Sequence, residues 1–239
     1  MQHFLTRIRE KALDHKQPPV LVVAFGDSVT QGFMENTRLD SEAVYHRQVQ
    51  QKLENFFPIT TFSTLNAGVG GAGTKDALAR LERDVIRHQP DLVLVAFGLN
   101  DVVGGPDGIP RFDAALKEII AQIRAKTEAD VILLTPPFIA TKRTTRIHPD
   151  HESFADDLIR LQTSGWLAQY AQVVCDVAHQ TNTPLADIHR EWQRLRESGV
   201  DMDTWIANGL NHPTKEGHTL AAELVFAEIL RHYLQGQCA

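Results

Sequence analysis

An open parallel α/β sheet is the fold class this sequence predicts, and two observations predict it. Short apolar runs alternate with longer amphipathic segments through the chain. Glycine and polar residues gather just past the ends of those runs, the edge where open α/β sheets bind their ligands.

The first element is a strand. Pro19 precedes Val20-Leu21-Val22-Val23-Ala24-Phe25, an unbroken apolar run that ends at Gly26 and suits a strand buried on both faces. A helix is expected from about Ser41, because Tyr45, Val49, Leu53 and Phe56 recur at helical spacing. Ile59 to Leu65 reads as a second strand running into the glycine-rich Asn66–Gly73. Thr74 then opens a helix with Leu78, Leu81 and Val85 on one face. Asp91–Phe97 reads as a third strand closed by Gly98-Leu99-Asn100-Asp101. The helix after it carries Phe112, Leu116, Ile119 and Ile123 inward. Val131–Leu134 is a fourth strand stopped by Pro136-Pro137, and a polar stretch from about Ile139 to Asp157 lacks clear periodicity. Trp166, Tyr170, Val173 and Val177 mark another helix, Leu185–Ile188 a short fifth strand, and Ala221, Leu224, Val225 and Ile229 a final helix. No repeat or low-complexity linker interrupts this order, so residues 1–239 read as one domain with its core at about 19–235.

Composition narrows the function classes. The 239 residues are 43% hydrophobic and 23% charged, ordinary globular usage that argues against disorder. The net charge of −6 offers no basic excess for tracking nucleic-acid phosphates. No apolar run approaches the roughly 20 residues that span a bilayer. The N-terminal segment has charge scattered through it and no apolar stretch of the secretory kind. Two cysteines, Cys175 and Cys238, make no disulfide framework, and a reducing, cytoplasmic location is the expectation.

Three short segments carry candidate chemistry. Gly26-Asp27-Ser28 leaves the first strand directly, which puts a hydroxyl and free backbone N–H groups at the ligand edge. Gly98-Leu99-Asn100-Asp101 can aim a neutral amide donor into the same crevice; a self-bonded Asn-Asp turn is the plainer alternative. His212 sits in Asn208-Gly209-Leu210-Asn211-His212-Pro213, a rigid turn before the last helix and a place for a base.

Taken together and in order, these segments resemble the blocks of the SGNH (GDSL) ester-hydrolase superfamily. Gly26-Asp27-Ser28 matches the block that holds the nucleophile. Asn66-Ala67-Gly68-Val69-Gly70-Gly71 matches the second, with Gly71 at the oxyanion-hole glycine. Gly98-Leu99-Asn100-Asp101 matches the GxND block, and His212-Pro213 the last. The resemblance implies a three-layer α/β/α sandwich with a five-stranded parallel sheet in the flavodoxin-like order 2-1-3-4-5. It also implies a serine esterase without metal or organic cofactor. Ser28 would attack an ester carbonyl while His212 takes its proton. The N–H groups of Ser28 and Gly71 and the amide of Asn100 would meet the oxyanion, and glycine at 71 would let backbone approach the substrate closely. The G-x-S-x-G elbow of ordinary α/β-hydrolases does not occur in the chain.

One position departs from the pattern. The family usually has an aspartate three residues before the catalytic histidine, whereas Gly209 stands there and Asn208 one further back. Asn208 orienting the imidazole, Asp201 or Asp203 folding in to do so, and a Ser–His dyad held by a backbone carbonyl are the alternatives, with the first two preferred. Loss of catalysis, leaving an SGNH-like binding protein, is the reading of another class.

Other features of the chain compete with this one. Gly68-Val69-Gly70-Gly71-Ala72-Gly73 satisfies G-x-G-x-x-G, but it lies after the second strand and lacks a correctly placed acidic residue, which counts against dinucleotide binding. His148, Asp150, His151 and Glu152 suit a metal by type, although a solvated loop bordering the cleft is preferred. His218 is expected to pack or cap. Trp192 and Trp205 are candidates for stacking on a sugar, with helix packing the plainer role. The expected substrate is a small-molecule ester with a short acyl group, an acetylated carbohydrate or small metabolite. A long-chain lipase, lysophospholipase or thioesterase is the alternative.

Overall fold

A computed structural model describes residues 1–35 and 38–236. Its centre is a sheet of β1 (Val20–Gly26), β2 (Phe62–Gly68), β3 (Leu92–Ala96), β4 (Asp130–Leu134) and β5 (Leu185–Ala186). The strands are parallel and lie in the order β2-β1-β3-β4-β5, the order the resemblance implied. Helices α1 (Gln2–Leu13), α2 (Ser28–Gln31), α3 (Tyr45–Phe56), α4 (Thr74–Asp84), α5 (Ile109–Lys126), α6 (Ala155–Thr163), α7 (Trp166–Gln180), α8 (Ile188–Glu197) and α9 (Lys215–Gln235) fill the connections.

The two faces of the sheet explain the unbroken apolar strands. Val23, Phe25, Val93, Val95, Val131 and Leu133 point into one core with α4, α5 and α7. Their neighbours Val20, Val22, Leu92, Leu94, Ile132 and Leu134 point into the other, against α1, α3, α8 and α9. Alternate residues of the central strands serve opposite cores, so those strands are apolar on both faces. Each fully buried side chain of this kind contributes about 1.5–3 kcal/mol relative to exposure.

Several boundaries differ from the sequence reading. The second strand starts at Phe62, not Ile59, and takes in Asn66 and Ala67; Ile59 is exposed in the connection before it. The helix expected from Ser41 begins at Tyr45. Helix α1 is not among the expected elements, yet Phe4, Leu5 and Ile8 are buried and the Phe4 N–H donates to Asp130 at 2.8 Å. The core therefore begins well before residue 19. The polar stretch 139–157 holds a turn of 3₁₀ helix at Pro149–Phe154 and the start of α6. Cys175 lies half-buried in α7, and Cys238 falls outside the described residues. Among those described, no helix is long and apolar enough to cross a membrane.

Candidate active site

Three adjacent strand ends supply one side of a cleft. β1 ends at Gly26, and Asp27 then caps the short α2 by accepting from the Val29 N–H at 2.9 Å. That cap turns Ser28 outward at the first helical position. Gly26 is the close-approach glycine of the turn, because a Cβ there would lie 2.0 Å from Thr30 Oγ1. β2 delivers the loop Val69–Gly73, and its Gly70 N–H donates to Gln31 Oε1 at 2.8 Å, tying it to α2. β3 delivers Asn100 and Asp101. Asp101 accepts from the Thr74 N–H at 2.8 Å, the Thr74 hydroxyl at 2.6 Å and the Gly98 N–H at 3.2 Å, so one carboxylate joins the second and third loops. Beneath them the buried Arg80 donates to the carbonyls of Ala67 and Gly26, each at 2.7 Å, and pairs with Asp84 at 2.9 Å.

The cleft measures about 290 Å³ and is lined by Ser28, Gly71, Asn100 and His212 together with an apolar wall that includes Phe33, Phe154, Leu158 and Leu210. Ser28 Oγ lies 3.0 Å from His212 Nε2. Residues 184 positions apart in sequence thus meet at hydrogen-bond distance. The Ser28 and Gly71 N–H groups have no backbone acceptor among the described residues. Gly71 adopts a φ of +73°, and no protein atom lies within 4 Å of where its Cβ would stand. The requirement for glycine visible in the protein itself is thus its left-handed backbone. Asn100 Nδ2 donates to the Ala72 carbonyl at 3.1 Å and reaches Asp27 Oδ2 at 3.4 Å. Burial, reinforced by Asp101, pushes the Asp27 carboxyl up to about 7 against the pull of the Val29 N–H.

The histidine side is built differently. Asn208 does not reach the imidazole. Its Oδ1 accepts from the backbone N–H groups of Leu210, Asn211 and His212 at 3.0, 2.9 and 2.9 Å, and its Nδ2 donates to Asn211 Oδ1. Asn208 is the knot of the turn that carries His212. Asp201 pairs with Lys142 at 2.7 Å, and Asp203 accepts from the N–H and hydroxyl of Thr141 at 2.7 and 2.6 Å. None of the three side chains preferred as orienters is at the ring. Among the described residues His212 Nδ1 is buried with no hydrogen-bond partner. The Met34 backbone acts to raise the imidazole pKa, and the Phe33 ring stacks on the imidazole at 6.0 Å and 25°. Burial dominates and lowers the His212 pKa to about 4, with His151 adding in the same direction.

The remaining candidates sort themselves by position. His218 is buried, and its Nδ1 accepts from the Tyr45 N–H at 3.3 Å, a packing role. Trp192 is fully buried and Trp205 packs edge-on against it at 6.0 Å, so neither lines the cleft. Among the described residues no group of His, Cys, Asp or Glu has an arrangement that could hold a metal ion. Of the His148–Glu152 cluster, His151 alone lines the cleft. Phe33, Met34, Phe154 and Leu158 are site residues that sequence reasoning misses. Only the apolar character of Phe33 and Phe154 within polar loops could have flagged them.

A five-stranded parallel sheet with a serine and a histidine meeting at its carboxyl edge defines a hydrolase of the SGNH type, and the comparisons with known proteins agree. The GDSL-like lipase/acylhydrolase family matches residues 24–220, and the chain belongs to that family. It is an ester hydrolase. Among curated proteins it is 25% identical over 186 residues to an acetylxylan esterase of Geobacillus stearothermophilus, covering 74% of this chain and 76% of that one. It is 26% identical over 214 residues to the uncharacterized lipoprotein YqeF of Bacillus subtilis (strain 168), covering 84% and 86%. A lipase/acylhydrolase from Enterococcus faecalis superposes with a TM-score of 0.67 at 24% identity, over 87% of this chain and 94% of that one. The Geobacillus acetylxylan esterase Axe2 superposes at 0.65 with 22% identity, over 87% and 93%. That enzyme has been solved as catalytic mutants at a serine, a histidine and an aspartate.

Proposed function

We propose that the chain cleaves short-acyl esters, acetyl esters of a carbohydrate or small metabolite, through an acyl-enzyme on Ser28. The observation that carries this reading is the 3.0 Å contact between Ser28 Oγ and His212 Nε2 at the edge of a small cleft. An imidazole whose pKa has fallen to about 4 is neutral near pH 7 and free to accept the serine proton. As Oγ attacks the carbonyl carbon, the carbonyl oxygen takes up negative charge. The N–H groups of Ser28 and Gly71 are the free donors for it, and Asn100 is the third. For Asn100 the oxyanion has only to outcompete the long contact to Asp27, a carboxyl that burial keeps partly protonated near neutrality. His212 then returns its proton to the leaving alcohol, and water releases the acyl group by the reverse sequence.

The orienting role falls to the stacked Phe33 ring, and among the described residues no carboxylate reaches Nδ1. With no full negative charge beside the imidazolium, the pair works as a Ser–His dyad. The volume of about 290 Å³ lies near the lower end of the roughly 300–1,000 Å³ usual for ligand pockets. It favours a short acyl group. The similarity to an acetylxylan esterase supports the same substrate class.

The apolar wall of Phe33, Phe154, Leu158 and Leu210 favours the second reading, a lipase or thioesterase of longer acyl chains. Hydrolysis of p-nitrophenyl esters from acetate to palmitate, with Ser28→Ala alongside, separates the two. The expected result is a maximum at acetate or butyrate and a loss of about 10⁴-fold or more in kcat for Ser28→Ala. A kcat/KM that climbs with chain length selects the lipase. Equal measurable rates for wild type and variant overturn the serine mechanism, and two equally inert proteins favour the binding-protein reading.

A further inference from the structure

We propose that His151 is a substrate-contacting residue that, with Phe154, forms the subsite for a hydroxyl-bearing alcohol half of the ester. The proposal rests on the ester-hydrolase reading above and adds the residue that selects the leaving group.

Three observations converge on it. First, His151 lines the same cleft as Ser28 and His212. Its Nδ1 is buried without a partner among the described residues, which leaves Nε2 as the ring nitrogen to meet a ligand. An imidazole nitrogen hydrogen-bonds a hydroxyl group readily, because the hydroxyl can give or take the bond. Second, the ring has an aromatic companion. Phe154 lies 5.0 Å from it at 46°, is 39% exposed and also lines the cleft. A flat apolar face beside one convergent polar atom is how a pocket takes a compact polyol or sugar ring: the carbon face covers the aromatic and one hydroxyl is read directly.

Third, the segment that carries them is fixed to the histidine side of the cleft. Arg146 Nη1 donates to the carbonyls of Thr204 and Ile206 at 2.9 and 3.1 Å, bolting the loop to the turn that precedes His212. Ala140 N–H donates to the Leu210 carbonyl at 2.7 Å. Arg143 pairs with Glu152 and, at 2.7 Å, with Asp156, bracketing the turn on which His151 and Phe154 stand. The side matters chemically. His212 must hand its proton to the departing oxygen, so the alcohol leaves on the histidine side, and a charge on His151 is felt at His212. The acyl half then lies towards the oxyanion donors. A contact of this kind is pre-organised, because its scaffold is hydrogen-bonded before substrate arrives.

Paired substrates test it. Glyceryl monoacetate and propyl acetate share an acetyl group and a three-carbon alcohol, and only the first has hydroxyls beside the ester. In the wild type, kcat/KM is expected to favour glyceryl monoacetate by about tenfold, one good hydrogen bond's worth. In His151→Phe that preference should collapse to about unity, through a KM for glyceryl monoacetate that rises relative to that for propyl acetate. His151→Asn, which restores a donor, should recover part of the preference. Because the readout is a ratio within one preparation, a partly unfolded variant does not mimic the result. A wild type with no preference overturns this subsite while leaving the esterase intact. Equal losses on both esters in His151→Phe overturn it in favour of a structural role. A wild type inert towards both and towards p-nitrophenyl acetate overturns the short-acyl reading of the site, and this inference with it.

Discussion

The nucleophile side of the cleft hangs from three neighbouring strand ends, whereas the histidine side is carried by loops ahead of the last helix. On the first, Asp27, Asp101 and Arg80 cross-link the loops of β1, β2 and β3. On the second, the imidazole ends in an Nδ1 with no partner among the described residues, and a stacked Phe33 holds the ring. The contrast teaches where catalytic power can reside in this protein. The donors for the oxyanion are pre-positioned by the sheet, and the base is positioned by packing.

The sharpest way to break that contrast is at Asn100. Removing one oxyanion donor costs on the order of 10²–10³ in kcat, so Asn100→Ala should fall by that factor with little change in KM. Steady-state kinetics on p-nitrophenyl acetate, with circular dichroism to confirm folding, measure it. A loss of only a few-fold would show that Asn100 stays engaged with Ala72 and Asp27 throughout the reaction, and that the two backbone N–H groups carry the charge alone.

Asn208 tests the other side with a smaller expected effect. Were Asn208 the acid's substitute at the ring, Asn208→Asp would restore a triad and raise kcat by up to about 10⁴. The structure places its Oδ1 on three backbone N–H groups instead. An aspartate keeps those acceptor contacts and loses only the bond to Asn211, so kcat should stay within about tenfold of wild type. Asn208→Ala should leave the three N–H groups unpaired, lower stability by about 1–3 kcal/mol and loosen the turn. A large rise in kcat for Asn208→Asp would show that the turn rearranges to bring the carboxylate to Nδ1.

The same contrast explains what the sequence could reveal. The nucleophile side was legible because local signals and global fold agree there: an unbroken apolar run fixes β1, and glycines and a capping aspartate fix the turn at its end. The strand order had no such local signature and came from the resemblance of the four blocks. Helix α1 was hidden because Arg7, Arg9, Glu10 and Lys11 break up its apolar face, which consists of little more than Phe4, Leu5 and Ile8. The partner of His212 was illegible for a different reason. Spacing suggested a side chain, and Asn208, Asp201 and Asp203 all had the right chemistry within reach in sequence. No side chain among the described residues reaches Nδ1; the imidazole is held by the stacked Phe33 ring, a packing contact that no sequence pattern marks. The apolar wall from Phe154 and Leu158 was missed because two apolar residues in a polar stretch give no period to read.

Acid titration sharpens the comparison, because Asp27 and the buried imidazoles respond with opposite sign. Burial lowers the pKa of His212 and of His46 to about 4, and that of His218 to about 3, from an ordinary 6.5. Between about pH 4 and 6.5 these imidazoles are neutral when folded and protonated when unfolded, so unfolding takes up protons and stability rises with pH. Asp27, raised from 3.8 to about 7, does the reverse: the folded protein keeps a proton that the unfolded chain has lost, and stability falls as pH rises through that window. With three groups against one, the net slope is positive, on the order of 1–3 kcal/mol per pH unit. Calorimetry from pH 4.5 to 6.5 should therefore show Tm climbing with pH, and less steeply in His218→Gln, where one contributor is gone. The pH profile of kcat/KM should keep its acid limb well below 6.5, because the free base persists until His212 is protonated near 4. A limb at the ordinary histidine value would mean that the cleft admits water to the ring, and that packing alone does not hold the base. A Tm flat across the window would instead show that the protonation of Asp27 offsets the buried histidines, and one that fell with pH that it outweighs them.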